Sequence, residues 1–374
     1  MKYIDEFRNK NLIKKTLGRI QEITPRGKVN IMEICGTHTQ SFCRFGLDKL
    51  LPANVNLIAG PGCPVCVSTQ EYIDQAIRIA QKKGNIILTF GDMLRIPGSK
   101  SSLEKERARS ADVRIVYSAW DSLKAAKQNP DKKIIFLAVG FEATAPTIAL
   151  SILAAKKEKL KNLFFFSSLK LIPAAMDYLV KDKRLNLKGF LCPGHVSTII
   201  GTQPYEFMPK RYGIGCCISG FEPLDILEGI YILIKQIVDN KPRVANQYLR
   251  AVKPKGNLEA KKLISRVFKV FDAYWRGLGR IPKSGLKIKK EFSQFDAERI
   301  FYFKPVTRYP CLSGRQAAGR ALPVTRCRCG DVLKGLVSPF DCALFSKVCR
   351  PDNPIGPCMV SSEGACSAYY RYKK

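Results

Sequence analysis

The chain is short of histidine and of acid. Only two of its 374 residues are histidine, His38 and His195, and 63 lysines and arginines stand against 31 aspartates and glutamates, a formal net charge of +32. So few imidazoles exclude a metal centre built mainly from histidine, which needs two or three together. No apolar run approaches the roughly 20 residues that span a bilayer, and the opening residues lack the apolar stretch of a secretory signal. The expected compartment is therefore the cytoplasm, with no membrane partner. The shortage of acid leaves a basic surface of the kind that attracts phosphate regardless of base sequence. Yet the basic residues are spread along the chain, without a helix-turn-helix, zinc-finger or RNP signature. A lysine-rich solvated surface with an acidic protein partner is the simpler reading, and nucleic acid is not expected.

Cysteine is what the chain has in excess. There are 14, within a composition (46% hydrophobic, 10% aromatic) that is ordinary for a globular protein. Without a secretory context, such thiols read as metal ligands or redox groups rather than structural staples. Half of them, Cys311, Cys327, Cys329, Cys342, Cys349, Cys358 and Cys366, lie in the last stretch of the chain, which reads as a separate chemical unit.

Periodicity organises the remainder. Apolar residues recur at helical spacing over 2–23, and short apolar runs follow at 29–34, 55–59, 86–90, 113–117, 134–139, 163–166, 189–191 and 214–218. Helical patterns lie between several of them, at 69–82, 146–157 and 173–180. Strands alternating with helices predict an α/β protein with parallel sheets and right-handed crossovers. Eight strands in so short a span predict two facing domains. The divisions expected are an N-terminal helix at 1–28, one α/β domain at 29–118 and a second at 119–238. Brace helices and a loop-rich, cysteine-rich domain then fill 239–374. Tyr274 and Trp275 read as packing residues within a basic brace.

The unusual residues fall just after the predicted strands. Cys-Gly-Thr-His-Thr at 35–39 follows the first, Gly-Pro-Gly-Cys-Pro-Val-Cys at 60–66 the second, and Gly-Asp at 91–92 the third. Gly-Phe-Glu at 140–142, Pro-Gly-His-Val-Ser at 193–197 and Gly-Phe-Glu-Pro at 220–223 end later runs. Ligands in open parallel sheets bind beyond the carboxyl ends of the strands, so one cleft is expected to hold Cys35, His38, Asp92, Glu142 and His195. Cys63 and Cys66 form a CxxC ahead of a helix, suited to reversible disulfide chemistry, with half a zinc site as the alternative. Ser68 and Glu71 are spaced as a capping box for that helix. The tail thiols, with no histidine among them, favour an iron–sulfur cluster held by four cysteines over tetrahedral zinc. Cys43, Cys192, Cys216, Cys217 and Cys311 read as packing thiols.

Taken with Cys-x-Cys-Gly-Asp at 327–331 and Gly-Pro-Cys-Met-Val-Ser-Ser-Glu-Gly-Ala-Cys at 356–366, these motifs, in this order, resemble the hydrogenase maturation factor HypD family over nearly the whole chain. Ala143 departs from the family pattern, where Thr is expected. The resemblance implies a scaffold, working with the small partner HypC, for the Fe(CN)2CO unit of [NiFe] hydrogenases, with cyanide arriving from HypE. It makes Cys35 the iron ligand, shared with a cysteine of the partner; the residue types beside it, Thr37 and His38, suit hydrogen bonds to the cyanide nitrogens. It also implies a [4Fe-4S] cluster in the tail, with the Cys63/Cys66 dithiol passing electrons between cluster and cleft. A further likeness, to ferredoxin–thioredoxin reductase, implies Cys327, Cys342, Cys349 and Cys366 as cluster ligands and Cys329 with Cys358 as the adjacent redox pair. Exchanging Cys327 with Cys329 fits the spacing equally. The other function open at this point is a cluster-dependent dithiol reductase acting on other proteins.

Overall fold

The structure, a computed structural model, describes residues 5–301 and 327–373. Cys311 lies outside the described residues. The N-terminal helix is shorter than its periodicity suggested: a 3-10 turn, Asp5–Arg8, precedes the helix Lys10–Ile23. Asn9 sets the start, its Oδ1 accepting from the Asn11 and Leu12 amides. The helix packs along the apolar helix Pro223–Val238.

The described residues form eleven strands: β1 Val29–Glu33, β2 Val55–Ala59, β3 Asn85–Thr89, β4 Val113–Ile115, β5 Lys133–Gly140, β6 Leu163–Lys170, β7 Gly189–Pro193, β8 Gly215–Ser219, β9 Val244–Asn246, β10 Phe268–Trp275 and β11 Gly279–Ile288. The first eight are the eight predicted runs. Most are buried along their length, and β1, β3, β7 and β8 entirely so, which is why they read as continuous apolar runs instead of alternating ones. One sheet has the order β2-β1-β7-β8-β9, parallel throughout. The other has the order β10-β11-β6-β5-β3-β4, parallel from β6 to β4 with an antiparallel hairpin on one edge.

The α/β class with parallel sheets is thus as expected, but the sheets do not follow a boundary at 118/119. The chain lays down β1 and β2, leaves for β3 to β6 in the other sheet, returns for β7 to β9, and leaves again for β10 and β11. Periodicity marks a strand but carries no label for its neighbour, so the interleaving left no trace in composition. The basic stretch after 253 also differs from the helical brace expected. It contains one helix, Leu258–Val267, and then the β10–β11 hairpin. Leu263 and Val267 lie in that helix, Val270 and Phe271 continue its spacing only by coincidence, and Gly277 and Gly279, both at positive φ, make the turn. Trp275 is buried at the hairpin tip, its Nε1–H donating to Ser284 Oγ at 2.9 Å.

The tail folds back onto the first sheet. Its last helix, Ala365–Tyr372, packs on the helix Gly36–Phe45, with Tyr369 edge-on to Phe42 and Lys373 paired with Asp48 at 3.0 Å. Among the described residues no helix is long and apolar enough to cross a membrane.

Candidate functional site

Strand β1 ends at Glu33, and two residues later the chain turns into the helix Gly36–Phe45 with Cys35 at its N-cap. The turn is tight because glycine allows neighbouring backbone to close in. A Cβ on Gly62 would sit 2.3 Å from Cys35 Cα, and one on Gly36 would sit 2.4 Å from the Glu363 carbonyl oxygen. The Gly36 amide donates to Gly62 O at 3.0 Å, tying the two loops together. Three segments distant in sequence thus converge on one thiol.

Cys35 is almost wholly buried, and its Sγ lies 4.0 Å from His195 Nδ1. Burial pushes the thiol up to about 12, with Glu363 adding to the rise, while the His38 and Thr37 amides and the Thr37 hydroxyl oppose it. Burial also lowers both imidazoles to about 4, so each is neutral at physiological pH. His38 sits behind the pocket: its Nε2–H donates to Gly220 O at 2.8 Å, with Ser219 O at 3.3 Å. Its Nδ1 has no partner among the described residues. The Phe221 ring packs against both histidines, centroids 5.0 and 5.5 Å away. Thr37 Oγ1 donates to Glu363 Oε1 at 2.9 Å. Thr37 thus faces Glu363 as well as the thiol, and His38 faces the carbonyls after β8; the imidazole beside the thiol is that of His195.

The remaining expected site residues divide. Asp92 joins the pocket through the tail: its Oδ2 accepts from Ser361 Oγ at 2.7 Å, and Ser361 Oγ accepts from the Glu363 amide. Glu142 is a helix cap instead. Its Oε1 accepts the Ile172 amide at 2.9 Å at the start of the helix Ile172–Leu179. Its Oε2 has no partner among the described residues, and burial raises it to about 8. No direct contact ties it to Cys35.

Cys63 and Cys66 are joined as a disulfide. The capping box expected from Ser68 and Glu71 is replaced by Thr69, whose Oγ1 accepts the Tyr72 amide at the head of the helix Gln70–Ala80, while Ser68 donates to Pro64 O. The cysteines therefore occupy a turn ahead of the helix rather than its first turn. Cys66 Sγ lies 3.7 Å from Pro357 O, the carbonyl that precedes Cys358.

All six described tail cysteines, Cys327, Cys329, Cys342, Cys349, Cys358 and Cys366, line one cavity. Within it Cys329 and Cys358 lie Sγ to Sγ at 2.8 Å. Gly356 forms part of the wall, where a Cβ would sit 2.7 Å from Cys327 Sγ. Among the described residues no three His, Cys, Asp or Glu side chains converge as ligands of a single ion. Cys43, Cys192, Cys216 and Cys217 are buried in helix and strands as packing thiols.

Sequence reasoning missed Glu363, Ser361 and Phe221. The first two stand inside the 356–366 motif between two cysteines, where only the thiols drew attention. Phe221 lies in a Gly-Phe-Glu-Pro loop noticed for its glycine. A polar Ser-Ser-Glu run amid buried cysteines was the available signal.

A buried thiol–imidazole pair on an α/β frame, joined by one tail segment to a disulfide and a six-thiol cavity, defines a protein whose chemistry is that of cysteine. The chain belongs to the HypD family: the model described as HypD, hydrogenase formation hypA family, matches residues 11–373. It is 45% identical over 380 residues to the hydrogenase maturation factor HypD of Azotobacter vinelandii, covering 100% of this chain and 97% of the relative. It is 41% identical over 382 residues to HypD of Escherichia coli K12, covering 100% and 99%. A putative hydrogenase expression/formation protein of Methanocaldococcus jannaschii is 39% identical over 364 residues, covering 97% and 98%. The general role of the chain is hydrogenase maturation.

Proposed function

We propose that this chain is the scaffold on which the Fe(CN)2CO unit of [NiFe] hydrogenases is assembled. The cargo iron is held by Cys35 together with a cysteine of a small HypC-type partner, and a HypE-type donor delivers cyanide transiently. The observation that carries the reading is the buried Cys35 thiol, 4.0 Å from a neutral imidazole. A thiol pushed up to about 12 keeps its proton until a cation reaches it. A soft iron then displaces that proton, and His195 Nδ1 is the base within reach. Once protonated, the partly buried His195 ring becomes a donor beside the anionic cargo, while Phe221 braces it.

The tail fits a [4Fe-4S] cluster held by Cys327, Cys342, Cys349 and Cys366. Six thiols around one cavity support this, and so does the room that Gly356 leaves beside Cys327. Such a cluster spreads its thiolates over four irons, one to each. When bound, it supplies single electrons to neighbouring thiols. The chain's own part is an exchange. Cys329 and Cys358 close into a disulfide, giving up two electrons and two protons, as the Cys63–Cys66 bond opens to two thiols that take them up. The contact of Cys66 with the carbonyl before Cys358 supports that route.

The test is an infrared spectrum of the anaerobically purified protein with its small partner, in the cyanide and carbonyl stretching region, beside an iron and sulfide assay. Bands that vanish in Cys35→Ala while about four irons stay, as for a cubane site, are the expected result. Iron and sulfide without any such bands, in a preparation competent for maturation, would sink the scaffold reading. That outcome leaves a cluster-dependent dithiol reductase of the ferredoxin–thioredoxin reductase type.

A further inference from the structure

The tail crosses the Cys35 pocket as a thin polar layer. Its outer side, at Ser362 and Glu363, meets solvent, whereas the Cys35 thiol is only 1% exposed. Two side-chain hydrogen bonds fasten the layer, one to each sheet. Thr37, on the helix after β1, donates from Oγ1 to Glu363 Oε1 at 2.9 Å. Ser361 Oγ donates at 2.7 Å to Asp92 Oδ2, in the 3-10 turn Gly91–Arg95 that follows β3. The two fastenings are linked, because Ser361 Oγ also accepts the Glu363 amide at 3.2 Å. Glu363 O rests against Gly36, where a Cβ would sit 2.4 Å away, next to Cys35 in the chain. The layer is also bounded. Met359 and Val360 before it and Ala365 after it are buried, and the Gly364 amide closes the turn on Ser361 O at 3.0 Å. A short polar turn between two rooted ends can open locally while the rest of the fold stays closed.

We propose that residues 361–364 are a flap over the Cys35 thiol, with Ser361 as its catch, and that the flap opens to let a partner's thiol reach the same iron. This rests on the scaffold reading above and adds to it how the covered ligand becomes reachable. A cysteine that shares an iron with Cys35 must come within bonding distance of that iron, and a thiol so fully covered offers no such path while the flap is closed. Only four residues need to move, so the buried neighbours on either side keep their packing. Ser361 is a positioning residue: it has no contact with the thiol and acts through Glu363, whose amide it accepts.

Full-length protein, purified anaerobically and free of its small partner, is treated with N-ethylmaleimide at neutral pH. Modification of the peptides carrying Cys35 and Cys192 is followed over time by mass spectrometry. Cys192, buried in β7, reports opening of the whole fold. In Ser361→Ala the Cys35 rate is expected to rise about tenfold, the worth of one hydrogen bond to a charged acceptor, with the Cys192 rate unchanged. Asp92→Ala, which removes the same bond from outside the tail, is expected to match it and stands in should Ser361→Ala fold poorly. Asp92→Asn keeps an oxygen acceptor for Ser361 and is expected to stay near the wild-type rate. A Cys35 rate that neither alanine variant moves, or that rises only in step with Cys192, overturns the flap. An Asp92→Asn rate as fast as that of Asp92→Ala overturns Ser361 as its catch. Infrared bands decide the scaffold reading and thiol access decides the flap, so each can fail without the other.

Discussion

The Cys35 pocket and the six-thiol cavity are both built on cysteine, yet they are assembled in opposite ways. The cavity draws its thiols from one stretch, 327–366, so its parts are close in sequence before they are close in space. The pocket draws on the end of β1, the loop after β2, the helix after β7, the turn after β8 and the tail at 361–363. A local site needs only its own loops. A distributed site exists only when both ends of the chain have been brought together, and its thiol is covered once they have.

The largest effect should come from breaking that convergence. A Cβ on Gly62 meets the Cys35 backbone at 2.3 Å, where no side chain can swing aside, whereas one on Gly356 meets side-chain atoms, Cys327 Sγ at 2.7 Å and Cys329 Cβ at 3.3 Å. Gly62→Ala should cost about 4 kcal/mol or more, among the larger single-site effects. Gly356→Ala should cost roughly 1–3 kcal/mol by local overpacking and lower the iron and sulfide content. Urea unfolding and iron assay on the two variants measure the contrast. Equal stability losses would mean that the pocket is no more dependent on the whole fold than the cavity.

The next effect lies in the histidines, which only the pocket contains. Both are held to about 4 in the folded protein against 6.5 when free. Between those values the unfolded chain binds protons that the folded chain refuses, so stability rises with pH across the window and falls as pH drops through it. Each histidine should remove about 2 kcal/mol by pH 5 relative to neutral pH. Denaturant titrations at pH 7 and 5 on wild type and His195→Gln test this, the variant losing about half of the histidine-linked drop. An undiminished drop would place His195 in solvent and remove the neutral base from beside Cys35.

How much of this was legible in the sequence follows the same division. Eight strand positions were readable because buried parallel strands are continuous apolar runs. The cysteine-rich tail was readable as one unit because its parts are contiguous. Sheet membership was not readable, since nothing in β3 or β4 says that it shares a sheet with β5 and β6 instead of β1 and β2. The hairpin at 268–288 was hidden by Val270 and Phe271, whose spacing continues that of Leu263 and Val267 in the helix before it. Cys35 and His195 stood out as rare residues after strands. The distinct roles of the two histidines did not, because only the fold shows that His38 Nε2 faces the carbonyls of Ser219 and Gly220 while His195 faces the thiol. Glu363 was invisible for a related reason: its partners, Thr37 and Gly36, are more than 300 residues away in sequence.

The smallest expected effect concerns Glu142, and it decides on which side of the comparison that residue falls. As a buried cap of the helix Ile172–Leu179 it needs only a neutral acceptor for the Ile172 amide, and burial raises it from 4.5 to about 8. A carboxyl raised in this way holds its proton in the folded state when the unfolded chain has already lost its own. Stability contributed by the protonated form is therefore present below about 4.5 and lost as pH climbs toward 8, which opposes the histidines over part of the range. Glu142→Gln keeps a neutral carbonyl acceptor and removes the titration. It should leave stability near wild type at pH 5 and gain roughly 1–2 kcal/mol at pH 7. A glutamine variant that is instead less stable at pH 7 would mean that the carboxylate is charged and paired in the folded protein. Glu142 would then belong with Asp92 and Glu363 among the acidic groups of the pocket, not with the caps that merely shape it.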